Sequence, residues 1–148
     1  MASSQYLSAG AVFSTRGQTM NLVLSGESIS KIEEILDKEL LKNGVKHAFI
    51  VDASGNLITE QGELGIEDLL PLAALAAANF GATERMANII GERDFTLLFH
   101  KGRECNIHFC RMNLDFILVT IFNNDVPVGL IRLGSSRATE KMLPMLTA

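Results

Sequence analysis

Two cysteines, three histidines and a scatter of carboxylates are the residues whose chemistry could make this chain a catalyst. Cys105 and Cys110 stand an odd number of positions apart in a predicted strand, so a regular pleat sends them to opposite faces. Neither a disulfide nor a shared metal site is expected from them. His100 and His108 lie near them in sequence, but no CxxC or HExxH spacing accompanies the four, and ordinary packing or polar surface is the expected role. Asp52, Glu60, Glu67 and Asp68 fall where turns and helix starts use carboxylates without catalysis. Ser54 sits in a turn rather than a nucleophile elbow, and His47 has no identified orienting carboxylate or neighbouring nucleophile. The chain also lacks GxxxxGK followed by Ser or Thr, and lacks GxGxxG, so no phosphate cradle is expected and no cofactor is assigned. Catalysis by the chain itself has little support, which shifts attention to surfaces.

The elements that present those surfaces follow from composition and period. With 148 residues, 47% hydrophobic and 20% charged, the chain suits one domain able to bury a core. A formal net charge of −4 gives no broad attraction to nucleic acid or anionic lipid. The apolar stretches are interrupted well before the roughly 20 residues that cross a bilayer, and the start has no basic n-region, so no membrane insertion is expected and a cytoplasmic location is. Residues 1–25 carry dispersed Ser and Gly without a helical period and predict a flexible arm, with a short strand at Met20–Leu24.

From Glu27 to Asn43, Ile29, Ile32, Ile35, Leu36 and Leu40 recur on neighbouring helical faces, and Gly44 is placed to end that helix. Lys46–Val51 and Leu57–Gln61 predict a hairpin around Asp52-Ala53-Ser54-Gly55-Asn56, where Gly55 supplies a backbone conformation that other residues resist. A long helix is predicted over Leu69–Ile90, with Asp68 as its cap, Pro71 in its first turn and Gly91 as its terminator. Phe95–His100 and Cys105–Cys110 predict strands flanking the turn Lys101–Glu104. Leu114–Phe122 is apolar on both parities, which predicts a strand covered on both faces, with Asp115 a strand-end solvent contact. For the C-terminal segment, Asn124, Asp125 and Pro127 favour a helix reaching about Met145, with Val128 or Ile131, Ala138, Met142 and Met145 inward and Pro144 a point of early ending. A strand over Val126–Leu133 is the alternative there.

The long central helix has the feature that matters most. Leu69 to Ala82 contains few long polar side chains, and one sheet face can cover only part of a helix that is apolar around most of its circumference. Ala74, Ala78, Gly81 and Arg85 follow an i, i+4, i+7, i+11 progression, with Ala82 beside them, so a smooth stripe suits close approach of a second protomer or another protein. The competing reading makes these alanines simple helix formers beneath a crowded monomeric sheet.

Taken in order, the stretches Ala48–Leu57, Leu75–Asn79, Ile89–Glu92, Phe99–Gly102, Leu118–Phe122 and Val128–Leu133 followed by Ser136–Glu140 resemble the roadblock/dynein light-chain family, in particular its bacterial MglB-like branch. The resemblance spans about residues 20–146. It implies an α/β (α+β) fold: a roadblock/profilin-like five-stranded antiparallel sheet with a long helix on one face and terminal helices on the other, a domain over 26–146 and a tail at 147–148. It further implies a homodimer that binds a bacterial Ras-like GTPase of MglA type and stimulates its GTP hydrolysis in control of cell polarity or motility. The alternative is a roadblock scaffold that binds without accelerating hydrolysis. Ala74, Ala78, Gly81, Ala82 and Arg85 match the helix neighbourhood that forms the dimer and GTPase-facing surface. Arg85 departs from the small residue common at that place. Arg85 and Arg132 are the arginines available for a direct contribution to hydrolysis, although the family mechanism does not require one.

Overall fold

Period-2 and period-3.6 segments alternate along the chain, and from the first helix onward the computed structural model turns them into the expected succession of elements. It describes residues 11–15, 18–22, 24–93 and 95–146. The strands are β1 (Ala11–Thr15), β2 (Gln18–Leu22), β3 (Val45–Asp52), β4 (Leu57–Gly62), β5 (Leu97–Lys101), β6 (Cys105–Arg111) and β7 (Phe116–Asn123). The helices are α1 (Gly26–Glu39), α2 (Ile66–Ile90) and α3 (Val128–Leu146). β3 to β7 form one antiparallel sheet in the order β4-β3-β7-β6-β5. This is the expected five-stranded architecture, with the long helix on one face and the other two helices on the opposite face.

The two parities of β7 explain this layering. Phe116, Leu118 and Phe122 join Ala48 and Ile50 of β3 beneath α1 and α3. Ile117, Val119 and Ile121 join Phe49 and Val51 beneath α2. A central strand buried on both sides has no polar parity to spare, which is why its sequence reads as a continuous apolar run. Leu114, read as the start of this strand, lies before it and is exposed, because Asn113 caps the entry: its Oδ1 accepts from the backbone N–H groups of Asp115 and Phe116 at 2.8 and 2.9 Å. Asp115 is therefore a strand-end residue, as its position suggested.

Helix boundaries expose where local signals yield to burial. α1 is capped by the Ser25 hydroxyl, which accepts from the Ser28 N–H at 3.1 Å, and a 3-10 turn at Leu41–Asn43 carries the chain to Gly44 at φ 104°. α2 begins at Ile66, three residues before the expected Leu69, with Gly65 rather than Asp68 at its cap. Leu64 and Ile66 pack on the sheet and pull the helix start back, so Asp68 lies in the first turn, where a carboxylate still suits the helix dipole. Pro71 consequently stands in the second turn rather than the first. Its missing N–H leaves the Glu67 carbonyl without its i+4 partner at an exposed position. Gly91, at φ 78°, ends the helix as expected.

α3 resolves the C-terminal alternative in favour of a helix. Pro144 does not stop it: the helix runs on to Leu146, whose burial in the core outweighs one lost backbone bond in the final turn. Of Val128 and Ile131, Ile131 is the inward residue, while Met145 is half-buried beside Met142. Gly134 and Ser135 complete the inward stripe, at positions the sequence reading left out. At Gly134 the two helices on this face touch backbone to backbone: an added Cβ would lie 2.7 Å from the Glu39 carbonyl oxygen.

The segment read as a flexible arm contains an antiparallel hairpin pairing Ala11–Thr15 with Gln18–Leu22. The strand expected at Met20–Leu24 therefore starts earlier and ends at Leu22, consistent with the β-favouring Val12, Phe13, Thr15 and Thr19. Leu24 belongs instead to the core under α1. The first ten residues of the arm and the 147–148 tail lie outside the described residues.

Candidate functional site

The outward face of α2 is built by the same alternation that buries its inner face. Leu69, Ala73, Ala76, Phe80, Thr83 and Ala87 turn toward the sheet, and the residues half a turn away face outward. Ala74, Ala78, Ala82 and Arg85 are exposed and Gly81 is half-buried, so the five residues singled out from sequence share one outward surface. An added Cβ at Gly81 would meet nothing within 4 Å. Beside the stripe stand large apolar side chains that the sheet leaves uncovered: Leu75 is 65% exposed, Met86 55% and Ile89 83%. Sequence reasoning had located the small residues and missed these larger ones, although their i, i+11 and i+14 spacing from Leu75 is a helical signal.

An apolar groove of about 450 Å³ extends this surface off the helix. Leu72 and Leu75 form one wall, and Ile107, Ile121 and Cys105 from the sheet form the other. Ile107 and Ile121 lie on the α2 side of the sheet, at the flank of the core that the helix covers.

Two further contacts hold α2 in place. Arg111 of β6 lies 3.0 Å from Glu84 and stacks over the Phe80 ring at 5.0 Å, tying the middle of the helix to the sheet through a nearly buried guanidinium. Nothing in the one-dimensional pattern marked Arg111, because the pairing depends on register between distant elements. The β3–β4 turn supplies the second contact. Asp52 accepts from the N–H groups of Ser54 and Asn56 at 3.0 and 2.9 Å and from the Asn56 amide at 3.0 Å, which identifies its carboxylate as a turn organiser. Gly55, at φ 92°, then approaches the helix so closely that an added Cβ would lie 3.0 Å from the Ala74 Cα. Gly55 therefore lacks a side chain for a second reason besides its backbone conformation.

The other chemically capable residues disperse. His47 is buried against Glu60, with Nε2 2.9 Å from a carboxylate oxygen, and its Nδ1 accepts from the Leu64 N–H at 3.0 Å. The proton therefore sits on Nε2, and Glu60 is the orienting carboxylate that the sequence did not reveal. Burial pushes the His47 pKa down to about 4, while burial and then the charge of Glu33 push Glu60 up. This pair fixes the loop before α2. His100 stacks on Phe109 on the α2 side of the sheet, whereas His108 faces α3. Cys105 borders the α2-side groove and Cys110 lies on the α3 side, so these four residues do not gather. Arg85 and Arg132 also stand on opposite sides of the sheet, on α2 and α3. Among the described residues, no three metal-binding side chains converge and no helix is long and apolar enough to cross a membrane.

The architecture is a two-faced antiparallel sheet with one long, outwardly apolar helix on one side. The sequence matches the Roadblock/LC7 domain over residues 31–122, and the chain belongs to that family. Within it the chain is MglB-like. It is similar to Myxococcus xanthus MglB, with 32% identity, a TM-score of 0.72, and coverage of 76% of this chain and 92% of that one. The gliding protein MglB of Thermus thermophilus is 27% identical with a TM-score of 0.76, over 84% of this chain and 95% of its own. The uncharacterized protein MJ0714 of Methanocaldococcus jannaschii is 31% identical over 121 residues, which is 77% of this chain and 98% of that protein.

Proposed function

We propose that this protein is a homodimeric activator of a Ras-like GTPase of MglA type, with the hydrolytic groups residing in the GTPase. The observation that carries the reading is the uncovered apolar face of α2, where Ala74, Ala78 and Ala82 run between Leu75, Met86 and Ile89. Covering each of the three larger side chains is worth roughly 1–2 kcal/mol, and the flat alanine stripe lets an opposing backbone come close. A self-complementary helix face suits a two-fold pair, and the adjoining groove at Leu72 and Ile107 extends the surface toward a second type of partner. Binding the GTPase's hydrolysis-competent conformation more tightly than its alternatives would raise the population of that conformation. Arg85 is the member of the stripe that carries a charge. Its presence in an otherwise apolar row favours the second reading, a scaffold that binds without accelerating hydrolysis.

Single-turnover GTP hydrolysis by an MglA-type GTPase, measured with and without this protein, separates the two. Acceleration supports the activator, and binding at an unchanged rate supports the scaffold. Gly81→Arg projects a long side chain from an open position, so it should leave the fold intact while weakening self-association or GTPase binding by about tenfold or more. Unchanged oligomer mass together with unchanged GTPase affinity would reject the assignment of this face.

A further inference from the structure

We infer that the groove between α3 and the outer strands β5 and β6 is a binding site for a carboxylate carried on an apolar body. This groove lies on the sheet face opposite α2 and is an open depression of about 480 Å³, a volume within the range of small-ligand sites. Its apolar lining comes from Leu97 of β5, Cys110 of β6 and Leu133 of α3, and Leu97 and Leu133 are exposed. Its polar lining comes from His108 on the floor and from Arg132 and Ser136 on α3, whose i, i+4 spacing puts both on the helix flank that faces the groove.

The groove has a built polar centre. His108 is 1% exposed, yet neither ring nitrogen has a hydrogen-bond partner. Burial, and then the charge of Arg132, lower its pKa to about 4, so at neutral pH the imidazole is uncharged and offers one N–H donor and one acceptor. Arg132 forms no ion pair with a carboxylate among the described residues, and the groove lining contains no acidic side chain.

These properties select a ligand class by elimination. A cation would face Arg132 without compensation. A purely apolar molecule would leave the buried imidazole N–H unanswered, at a cost of about 1–3 kcal/mol, and would make no use of the Arg132 charge. A phosphate dianion would strand its second charge against leucine and cysteine. A single carboxylate can take two parallel N–H groups from Arg132 and keep its hydrocarbon on Leu97 and Leu133. Both a free organic acid and an acidic side chain between apolar residues of a peptide have that chemistry.

The test follows the His108 ring resonances in the full chain during titration with sodium octanoate, with octan-1-ol as the uncharged control. His47 and His100, on the α2 side of the sheet, serve as internal references. A saturable His108 shift with octanoate, absent with octan-1-ol and weakened about ten- to hundredfold in Arg132→Gln, is the expected result. Arg132 is exposed, so the variant should keep its fold, and unchanged His47 resonances verify that. Acetyl-Leu-Glu-Leu-amide, compared with its Gln counterpart, assigns the source: a tighter response to this peptide than to octanoate supports a protein-borne carboxylate, and the reverse a free acid. No saturable shift from either acid, an equal response to octan-1-ol, or an unaltered affinity in Arg132→Gln would overturn the proposal. GTP hydrolysis by a partner enters none of these readouts, so failure here is separate from failure of the α2 reading.

Discussion

The two faces of the sheet are packed by different rules. Under α1 and α3 the core is made of large side chains, with Ile32, Leu36, Phe116, Phe122 and Ile131 all fully enclosed. Under α2 much of the helix contribution comes from Ala73, Ala76 and Ala77, supplemented by Leu69 and Phe80. Two helices shield each other on the first face, whereas the single helix on the second has no neighbour for its outer side among the described residues. One face therefore concentrates stability, and the other trades core volume for a long, rigid and uncovered surface.

Truncation tests this contrast most severely. Phe116→Ala should cost about 3–5 kcal/mol, because the surrounding helices cannot collapse into the cavity. Met86→Ser, on the outside of α2, should alter the unfolding free energy of the isolated protomer by no more than about 0.5 kcal/mol. Comparable losses in chemical denaturation would erase the distinction between the faces.

Acid unfolding sharpens it next, since each face buries one histidine. Both His47 and His108 are neutral in the fold with pKa values near 4, against an ordinary 6.5. The unfolded chain therefore takes up protons first, and stability present above pH 6.5 drains as pH falls toward 4, by up to about 3 kcal/mol for each ring. Glu60 works in the opposite sense. Its raised pKa makes the folded chain hold a proton more tightly, so its contribution is present below the usual 4.5 and is lost as pH rises through its folded value. His108→Leu and His47→Leu should each flatten the acid limb, since each removes one buried neutral imidazole. His47→Leu should also lower stability at neutral pH, since it orphans the Leu64 N–H. Melting temperatures of the two variants between pH 4 and 7 provide the comparison.

The smallest effects concern two glycines of one helix. Gly134→Ala forces a methyl group against the Glu39 carbonyl and should cost about 1–3 kcal/mol. Gly129→Ala meets open space and should stabilise the helix by up to about 1 kcal/mol. Thermal melts that rank the two together would deny the close crossing of α1 and α3.

The same glycines show what was legible in sequence. From α1 onward, element order, strand positions, the double-sided burial of β7 and the outward stripe of α2 follow from period and terminators, which are local, whereas the β1–β2 hairpin lies in a segment that reads as an arm. Gly134 carries only the local signature of a weak helix former, because its necessity lies in Glu39, nearly a hundred residues away. Asp68 looked like a cap because it stands beside an apolar run, yet the burial of Leu64 and Ile66 moved the start. Pro144 looked like an end because its backbone cost is local, whereas the burial of Leu146 is tertiary. Arg111, Glu60 and His108 acquire meaning only from strand register and from what the opposing helix places over them. For the candidate surface, alanines were conspicuous by composition. The leucine, methionine and isoleucine that give the surface its grease were indistinguishable from core residues until the helix was set on the sheet.

The contact between the β3–β4 turn and α2 has an evolutionary consequence. Position 55 is kept free of a side chain by the approach of the helix backbone at Ala74, whatever lands on the outer surface. A lineage that abandoned pairing through this helix could drift at 78 and 82 and still retain glycine at 55. Exchanges at 55 and 74 should be non-additive, since the two residues meet across one close approach of turn and helix. Among descendants of such a fold, variation at 78 and 82 is therefore the better record of lost partnership.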